Sequence, residues 1–159
     1  MTSTAPAPLY RERLWPAPWV FVATALVIPA SLLVFLPISQ LAGVICAVVL
    51  YGAIVLILLA TTPVVEVTDV GLIAGRARLP RDAVAGAEAF EGQDAVAERG
   101  VRLDARAWLL LRGWIPGLVR VQLDDPDDPT PYWLVSSRHP RRLAAALRAQ
   151  TLGSRTPRT

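Results

Sequence analysis

The 159-residue sequence contains no Asp, Glu, Lys or Arg between Arg13 and Glu66. Soluble helices of comparable length normally keep one polar face, which disfavours an entirely soluble helical core. Charged residues are frequent from Glu66 onward, and the mean hydropathy of the chain is +0.44. This distribution is typical of a membrane-embedded segment joined to a solvated domain.

Cysteine and histidine occur once each, as Cys46 and His139, and lysine is absent. A lone cysteine in the apolar stretch makes no intrachain disulfide and no cysteine-based zinc site. One histidine, which we expect at the surface among arginines, builds no Ser-His-Asp or Cys-His arrangement, and no glycine-rich phosphate loop follows a strand. We therefore predict no catalytic residue and no cofactor. The exclusive use of arginine, with abundant Ala, Val, Pro and Gly, indicates a GC-rich bacterial source.

The uncharged stretch is long enough for two membrane crossings, since about 20 helical residues cover the ~30 Å hydrocarbon core. Proline and polar residues at 37–40 divide it. We predict a transmembrane helical hairpin over 15–63, with spans near 19–36 and 41–60. Trp15 and Trp19 are the predicted membrane-interface anchors.

Three residues within the spans predict details of the hairpin. Pro29 should kink the first helix, and Gly43 and Ala47 should let the second pack closely against it. A cleavable signal peptide is disfavoured, because the first apolar segment is longer than a signal core and a second follows at once. Arg11 and Arg13 precede the first span, so the positive-inside bias predicts a bacterial cytoplasmic membrane protein with both termini in the cytoplasm.

From residue 64 the apolar residues alternate, as in β-strands. We predict strands at 64–68, 73–79, 84–90, 118–123 and 132–137, one or two more within 101–112, and a loop or short helix at 91–100. A closing helix should run from Arg138 to about Gln150, with Ser137 as its N-cap, Leu143 and Leu147 buried, and Gly153 as its stop.

The predicted fold class is therefore an α+β membrane protein: a helical hairpin followed by a small antiparallel β domain with a C-terminal helix. The expected organisation is a cytoplasmic N-terminal segment (1–14), the hairpin (15–63), a cytoplasmic β domain with its closing helix (64–152) and a disordered basic tail (153–159). Antiparallel strands capped by one helix are the layout of a pleckstrin-homology-like domain. That likeness is architectural and implies no particular activity.

Several segments resemble an actinobacterial membrane-protein family known as domain of unknown function 3093. They are the runs at 9–15, 75–80, 112–114 and 124–133, together with Ser136, Arg138 and Pro140. The acidic, proline-rich run that ends in Tyr132 and Trp133 is the most specific of them. The resemblance covers nearly the whole chain and implies two spans in a bacterial cytoplasmic membrane, but it implies no activity and no catalytic residues.

The acidic loop offers carboxylates of the kind that Mg²⁺ or Ca²⁺ prefers, but it lacks the glycine and the distal glutamate of an EF-hand. Asp-Pro pairs favour turns, so we interpret the loop as a structural turn, with an interaction loop or a metal site as alternatives. The weak metal candidates are Asp124, Asp125, Asp127 and Asp128.

Charge is unevenly distributed over the solvated part, with twelve acids and eight arginines over 64–137 but six arginines and no acid after it. The basic end favours contact with anionic lipid headgroups, and an ordinary solvated helix face is the alternative. The candidate headgroup contacts are Arg138, Arg141, Arg142 and Arg148. The arginines are not interleaved with aromatic residues, so no nucleic-acid partner is predicted.

Tryptophans in the strand region either pack in the core or line an exposed groove. The hypothetical interaction surface consists of Arg112, Trp114, Arg120 and Trp133. The function we expect is a membrane-anchored, non-enzymatic interaction or scaffold protein, with the bilayer and an unidentified membrane or cytoplasmic protein as partners. The alternative is a membrane-bound enzyme or divalent-metal protein that uses the acidic loop. A transporter fits poorly, because spans that conduct polar solutes usually carry ionisable groups, whereas the only polar residues in these spans are Thr24, Ser31 and Tyr51.

Overall fold

The computed structural model describes residues 8–126 and 128–152. Trp15–Thr62 form one compact unit, and the described residues before and after them form a second. Asp127, Gly153 and the tail after it lie outside the described residues, so the predictions made for them are not addressed.

The helical unit contains α1 (Pro18–Thr24), α2 (Val27–Phe35) and α3 (Gln40–Ala60). Two helical stretches, Pro18–Phe35 and Gln40–Ala60, are long and apolar enough to cross a membrane, with mean hydropathies of 2.1 and 2.8. Their bounds agree with the predicted spans to within one residue. Pro18 occupies the first turn of α1, where a missing N–H costs nothing. Ser39 caps α3 through a 3.4 Å hydrogen bond from the Ala42 N–H.

The first apolar stretch, in which Pro29 was predicted to cause a kink, has a break in its helix about one turn before that proline. The α1–α2 stretch is interrupted at Ala25 and Leu26, because proline has no N–H to donate to the carbonyl four residues earlier and its ring crowds that carbonyl. The close packing of α3 on α2 is also as predicted, since Gly43 and Ala47 are buried. A Cβ at Gly43 would lie 3.2 Å from the Cβ of Phe35.

The first sheet of the other unit has the order β1-β2-β3-β4, with every neighbouring pair antiparallel. Two glycines shape it. Gly75 has a φ of 64° in the turn between β3 and β4, and a Cβ at Gly71 would collide with the carbonyl oxygen of Leu79. Its strands are β1 (Tyr10–Arg13), β2 (Val64–Val67), β3 (Gly71–Ala74) and β4 (Ala77–Pro80).

The second sheet has the order β5-β7-β8-β6. Its pairs are antiparallel except for β6 with β8, which is parallel. A 3-10 turn (Arg81–Ala83) precedes the sheet, and two helices, α4 (Gly92–Glu98) and α5 (Pro140–Leu152), complete the unit. The strands are β5 (Val84–Phe90), β6 (Trp108–Leu110), β7 (Leu118–Leu123) and β8 (Tyr132–Ser136).

The main core joins both sheets to α5. Leu143 and Leu147 are fully buried there, as the helical spacing predicts, and Trp133 stacks on Trp108 with ring centroids 4.1 Å apart. A smaller cluster lies on the other face of the second sheet and consists of Ala95, Leu118, Tyr132 and Leu134. Successive side chains of β7 and β8 therefore pack alternately into the main core and into the smaller cluster, one on each face of the sheet.

Two details differ from the sequence prediction, and a third falls within it. The expected strand at 73–79 is divided into β3 and β4 by the turn at Gly75. Within 101–112, where one or two strands were predicted, there is one, Trp108–Leu110. Before it, Asp104 accepts hydrogen bonds from the Arg106 backbone and guanidinium and closes a turn. The same hydrogen bonds lower the pKa of Asp104, and the bond from the Arg106 guanidinium has the larger effect. The N-terminal segment, for which no strand was predicted, contributes β1 to the first sheet.

Candidate functional site: a basic cleft beside the first strand

Strand β1 is one of the two edge strands of the first sheet, and it runs directly before the apolar helical segment. Its register pairs Arg13 with Val64 and Tyr10 with Val67. The Leu14 N–H then donates to the Pro63 carbonyl at 3.0 Å. The chain thus leaves this unit and returns to it at two hydrogen-bonded residues.

Alternation along β1 turns Tyr10 and Glu12 toward the domain and leaves Arg11 and Arg13 exposed. The Glu12 carboxylate is the common acceptor of the hydrogen bonds that hold this strand to the domain. Its Oε2 accepts hydrogen bonds from the Tyr10 and Ser137 hydroxyls, both at 2.6 Å. Its Oε1 accepts one from the Arg138 N–H at 2.9 Å. This single carboxylate ties β1 to the segment that leads into α5.

Ser137 has the capping contact expected of it, because its Oγ accepts a 3.0 Å hydrogen bond from the His139 N–H. Helix α5 itself begins at Pro140, two residues later than predicted. Burial first, and the hydrogen bond to Glu12 second, raise the pKa of Tyr10 above its ordinary value of 10.0. The phenol therefore remains a protonated donor to Glu12 well into the alkaline range.

An open cleft of about 600 Å³ runs along β1 and the start of α5. Four arginines and one carboxylate line it, together with Tyr10 and the exposed His139. The Arg138 guanidinium Nη1 donates to the Arg13 carbonyl at 3.4 Å, which holds that side chain against β1. The charged residues of the lining are Arg11, Glu12, Arg13, Arg138 and Arg142.

The electrostatic balance of the cleft is positive. Glu12 already accepts three hydrogen bonds from the domain. Arg11 faces Glu66 at 3.7 Å across the β1–β2 pair. Arginines therefore outnumber carboxylates in the lining by four to one.

The four candidate headgroup arginines, one just before α5 and three within it, do not lie together. Arg138 and Arg142 line the cleft. The guanidinium of Arg141 instead pairs with Glu91 at 3.0 Å, and that of Arg148 donates from Nε to the Ala87 carbonyl at 2.9 Å. Two of these arginines thus line the cleft, and the other two lie near β5.

The hypothetical interaction surface is divided as well. Arg112 lies over Trp114, with 6.0 Å between the guanidinium carbon and the ring centroid, and Trp114 packs on the main core that contains Trp133. Arg120 lies on the opposite face of the second sheet, because its strand neighbours Val119 and Val121 belong to that core. The structure therefore brings Arg112 and Trp114 together on the side of the core that contains Trp133. Arg120 lies apart from them.

Arg120 is instead part of a buried ion-pair network under α4. Its Nη1 donates to Glu98 at 2.9 Å and its Nη2 to Glu88 at 3.1 Å, and Glu98 is only 2% exposed. The guanidinium carbon also lies 5.1 Å from the ring centroid of Phe90 and 5.6 Å from that of Tyr132. A charge buried this deeply requires such partners, so the role supported by these contacts is to hold α4 on the sheet.

The acidic loop is organised by turns. Asp128 Oδ1 accepts a 2.8 Å hydrogen bond from the Thr130 N–H, and hydrogen bonds from the Thr130 side chain and backbone lower the pKa of Asp128. The Asp124 N–H donates to the Ala83 carbonyl, and the Asp125 carbonyl accepts from the Asp128 N–H. Within residues 8–126 and 128–152, no group of three or more His, Cys, Asp or Glu side chains is arranged to hold a metal ion.

The predicted interface tryptophans lie at the start of the helical unit. Trp15 is 46% exposed and Trp19 is 60% exposed. Trp19 is the second residue of α1, and Trp15 precedes that helix by three residues. Both indoles are therefore available to an environment outside the unit, which is the requirement for an anchoring role.

Sequence reasoning missed Tyr10 and Glu12, which organise the cleft. They lie far from Ser137 in the chain, and a four-residue strand with two arginines carries no apolar alternation. One signal was available, since both residues fall in the run 9–15 on which the family resemblance partly rests.

The fold and the cleft define an α+β protein in which a pair of apolar helices is inserted between the first and second strands of a sheet domain with a basic edge. The chain belongs to the family described as "Protein of unknown function (DUF3093)", which matches residues 9–147. The matched range includes β1, both apolar helical stretches and most of α5. Comparison with curated proteins and with solved structures gives no match.

Proposed function

We propose that this protein is a non-enzymatic, membrane-anchored interaction module of the bacterial cytoplasmic membrane. In this proposal the two apolar helical stretches cross the bilayer, and both termini lie in the cytoplasm. The β domain, for which we keep the pleckstrin-homology-like layout as an expectation, presents its basic cleft to the inner leaflet or to a protein bound there.

The observation that carries the proposal is the exposure of the two helical stretches. Only 11% of each apolar window is buried within the molecule. A core helix of a soluble protein would be mostly covered, whereas here large apolar side chains such as Leu33, Leu41 and Val48 are about two-thirds or more exposed. Exposed apolar area of this extent is unfavourable in water and favourable in lipid.

The hydrogen bond between Leu14 and Pro63 supports two crossings. A segment whose ends are hydrogen-bonded to each other returns to its starting side, which an even number of crossings satisfies and a single crossing does not. Arg11 and Arg13 before the first helix support the cytoplasmic side for both ends. A signal-sequence reading explains α1 and α2 but leaves α3 unexplained.

Alkaline carbonate extraction of membranes from cells that produce the full chain tests the anchor. We expect the protein to remain in the pellet and to be released by detergent. The double variant Val49→Arg/Leu50→Arg should shift toward the supernatant, because an arginine at the centre of a span costs about 3 kcal/mol. The matched control Val101→Arg, at a position 93% exposed in the β domain, should remain in the pellet. A parent chain in the carbonate supernatant would contradict the proposal.

A further inference from the structure

We propose that the β domain rests on anionic lipid headgroups through the turn of the β3–β4 hairpin, at Gly75 and Arg76. We call this turn and the strand ends around it the hairpin end of the domain. The inference rests on the proposed function, because it takes the two apolar helical stretches as membrane spans. It adds which part of the domain touches the bilayer and which lipid chemistry that part meets.

The hairpin end lies where the chain returns from the helical segment. The Gly75 N–H donates to the Val64 carbonyl at 2.8 Å, and a Cβ built at Gly75 would lie 3.4 Å from the Cβ of Pro63. Pro63 comes three residues after Ala60, the last residue of α3, and an extended chain of that length covers about 10 Å. If α3 ends at the membrane surface as proposed, Arg76 is within reach of the headgroups.

The two arginines of the hairpin are exposed. Arg76 lies in the turn, and Arg78 lies in β4 opposite Ile73. Neither has a carboxylate partner among the ion pairs of residues 8–126 and 128–152. A guanidinium keeps its charge at any physiological pH and donates paired N–H groups to phosphate oxygens. The hairpin therefore suits a headgroup that carries a phosphate and a net negative charge.

The opposite end of the domain carries carboxylates. Strand β2 begins beside the hairpin end, so the β2–β3 turn lies about 10 Å away, after three steps of about 3.3 Å. The 3-10 turn joins it there, since the N–H of the partly buried Arg81 donates to the Val70 carbonyl at 3.1 Å. The acidic loop follows, since the Asp124 N–H donates to the Ala83 carbonyl at 3.0 Å. We call these three segments the far end, and their exposed aspartates without an ion pair among the described residues include Asp69, Asp82 and Asp124.

This distribution of charge favours one orientation of the domain. An anionic membrane surface attracts the arginines of the hairpin end and repels the aspartates of the far end. The carboxylates nearer the hairpin have partners of their own, since Glu66 faces Arg11 at 3.7 Å and Glu12 accepts three hydrogen bonds from the domain. Attraction at one end and repulsion at the other therefore both turn the hairpin end toward the bilayer.

Fluorescence quenching in lipid vesicles tests this contact on the full chain. In a Cys46→Ala background, a fluorophore is attached through Gly113→Cys near the hairpin or through Val70→Cys at the far end. Gly113 is exposed, and a Cβ there would have nothing within 4 Å. It follows Leu110, whose Cδ1 lies 3.9 Å from a Cβ built at Gly75. The vesicles contain phosphatidylcholine, with or without phosphatidylglycerol, and a lipid whose headgroup carries a nitroxide quencher.

We expect phosphatidylglycerol to increase the quenching at position 113. High salt should remove the increase, because the attraction between the arginines and the lipid is electrostatic and is screened. Quenching at position 70 should stay low in both lipid mixtures. Molecules inserted in either direction meet the same lipid composition, so both report the same contact.

Two variants, each of which removes one exposed arginine, locate the contact. Arg76→Gln removes it at the hairpin, and Arg106→Gln removes it before β6, where its partner is Asp104 at 3.1 Å. The first variant should lower the phosphatidylglycerol-dependent ratio of docked to undocked molecules about fivefold, the equivalent of about 1 kcal/mol for one arginine at an anionic surface. The second should leave this ratio unchanged. Circular dichroism confirms that both variants fold.

Quenching at position 113 that requires both phosphatidylglycerol and Arg76 supports the contact. The same quenching in both lipid mixtures, equal quenching at positions 113 and 70, or equal effects of Arg76→Gln and Arg106→Gln would overturn it. Carbonate extraction reports separately on the spans, so a failed contact and a failed anchor are distinguishable.

Discussion

At the scale of single residues, the domain depends on a carboxylate that faces inward from an otherwise exposed strand. Glu12 accepts hydrogen bonds from Tyr10, Ser137 and the Arg138 backbone. Ser137 is completely buried, and a buried hydroxyl that loses its acceptor keeps the cost of its desolvation. Glu12 is therefore a structural residue at the base of the basic cleft.

We predict that Glu12→Ala lowers the free energy of unfolding by about 1–3 kcal/mol. Urea unfolding of the full chain in a mild detergent, followed by tryptophan fluorescence, measures this, since Trp108, Trp114 and Trp133 all lie in the sheet domain. The control is Glu91→Ala, which removes an ion pair whose partner Arg141 is 83% exposed and should cost less than about 0.5 kcal/mol. Equal losses for the two variants would contradict the role of Glu12.

Tyr10 predicts a dependence of stability on pH. Its pKa is raised in the folded chain above the ordinary value of 10.0, by burial first and by Glu12 second. Above pH 10 the unfolded chain releases this proton while the folded chain keeps it, so the stability due to Tyr10 is present below pH 10 and falls as the pH rises further.

Unfolding of the parent chain and of Tyr10→Phe at pH 9 and at pH 11 checks this dependence. The parent should lose more stability between the two pH values than the variant. The remaining tyrosines, Tyr51 and Tyr132, are present in both proteins and cancel in the comparison. A parallel decline of the two proteins would show that Tyr10 is not the group responsible.

At the scale of elements, the strongly periodic or strongly apolar segments were predictable. The sequence predicts β5 with the same bounds as the structure, and the ends of the two apolar stretches to within one residue. These elements carry their signal locally, in apolar runs, in the alternation of Val and Ala, and in proline at their ends.

Strand β1 and the region 101–112 were not predictable in the same way. The four residues of β1 are mostly charged, and they form a strand because β2 pairs with them from beyond the whole apolar segment. The three residues of β6 pair in parallel with β8. No turn in the local sequence indicates such a pairing. The cleft was therefore not predictable either, because one of its sides is β1, for which no strand was predicted, and the other is the start of α5.

The packing of α2 on α3 gives a prediction at this scale. Gly43→Leu should force the two helices apart, because even a Cβ at that position would lie 3.2 Å from the Cβ of Phe35. Gly52→Leu is the control, because a Cβ there would have nothing within 4 Å. Cys46, the only cysteine in the sequence, is a built-in probe on α3. Its reaction with a fluorogenic maleimide during heating in detergent should begin at a lower temperature in the first variant than in the second. The same onset in both would contradict close packing at Gly43.

At the scale of the whole molecule, an apolar helical segment is inserted into a domain whose first strand precedes that segment. The hydrogen bond between Leu14 and Pro63 means that the domain is complete only when both ends of the insertion lie together. The two crossings of the proposed function meet this condition.

Cysteine labelling in intact cells tests this location most directly. In a Cys46→Ala background, Ile38→Cys places a thiol in the turn between the helices, and Val101→Cys places one on the β domain; both parent side chains are well exposed. A membrane-impermeant maleimide should label position 38 in intact cells and position 101 only after the membrane is permeabilised. Labelling of position 101 in intact cells, or of neither position until the cells are broken, would contradict a hairpin that crosses the bilayer twice with its β domain in the cytoplasm.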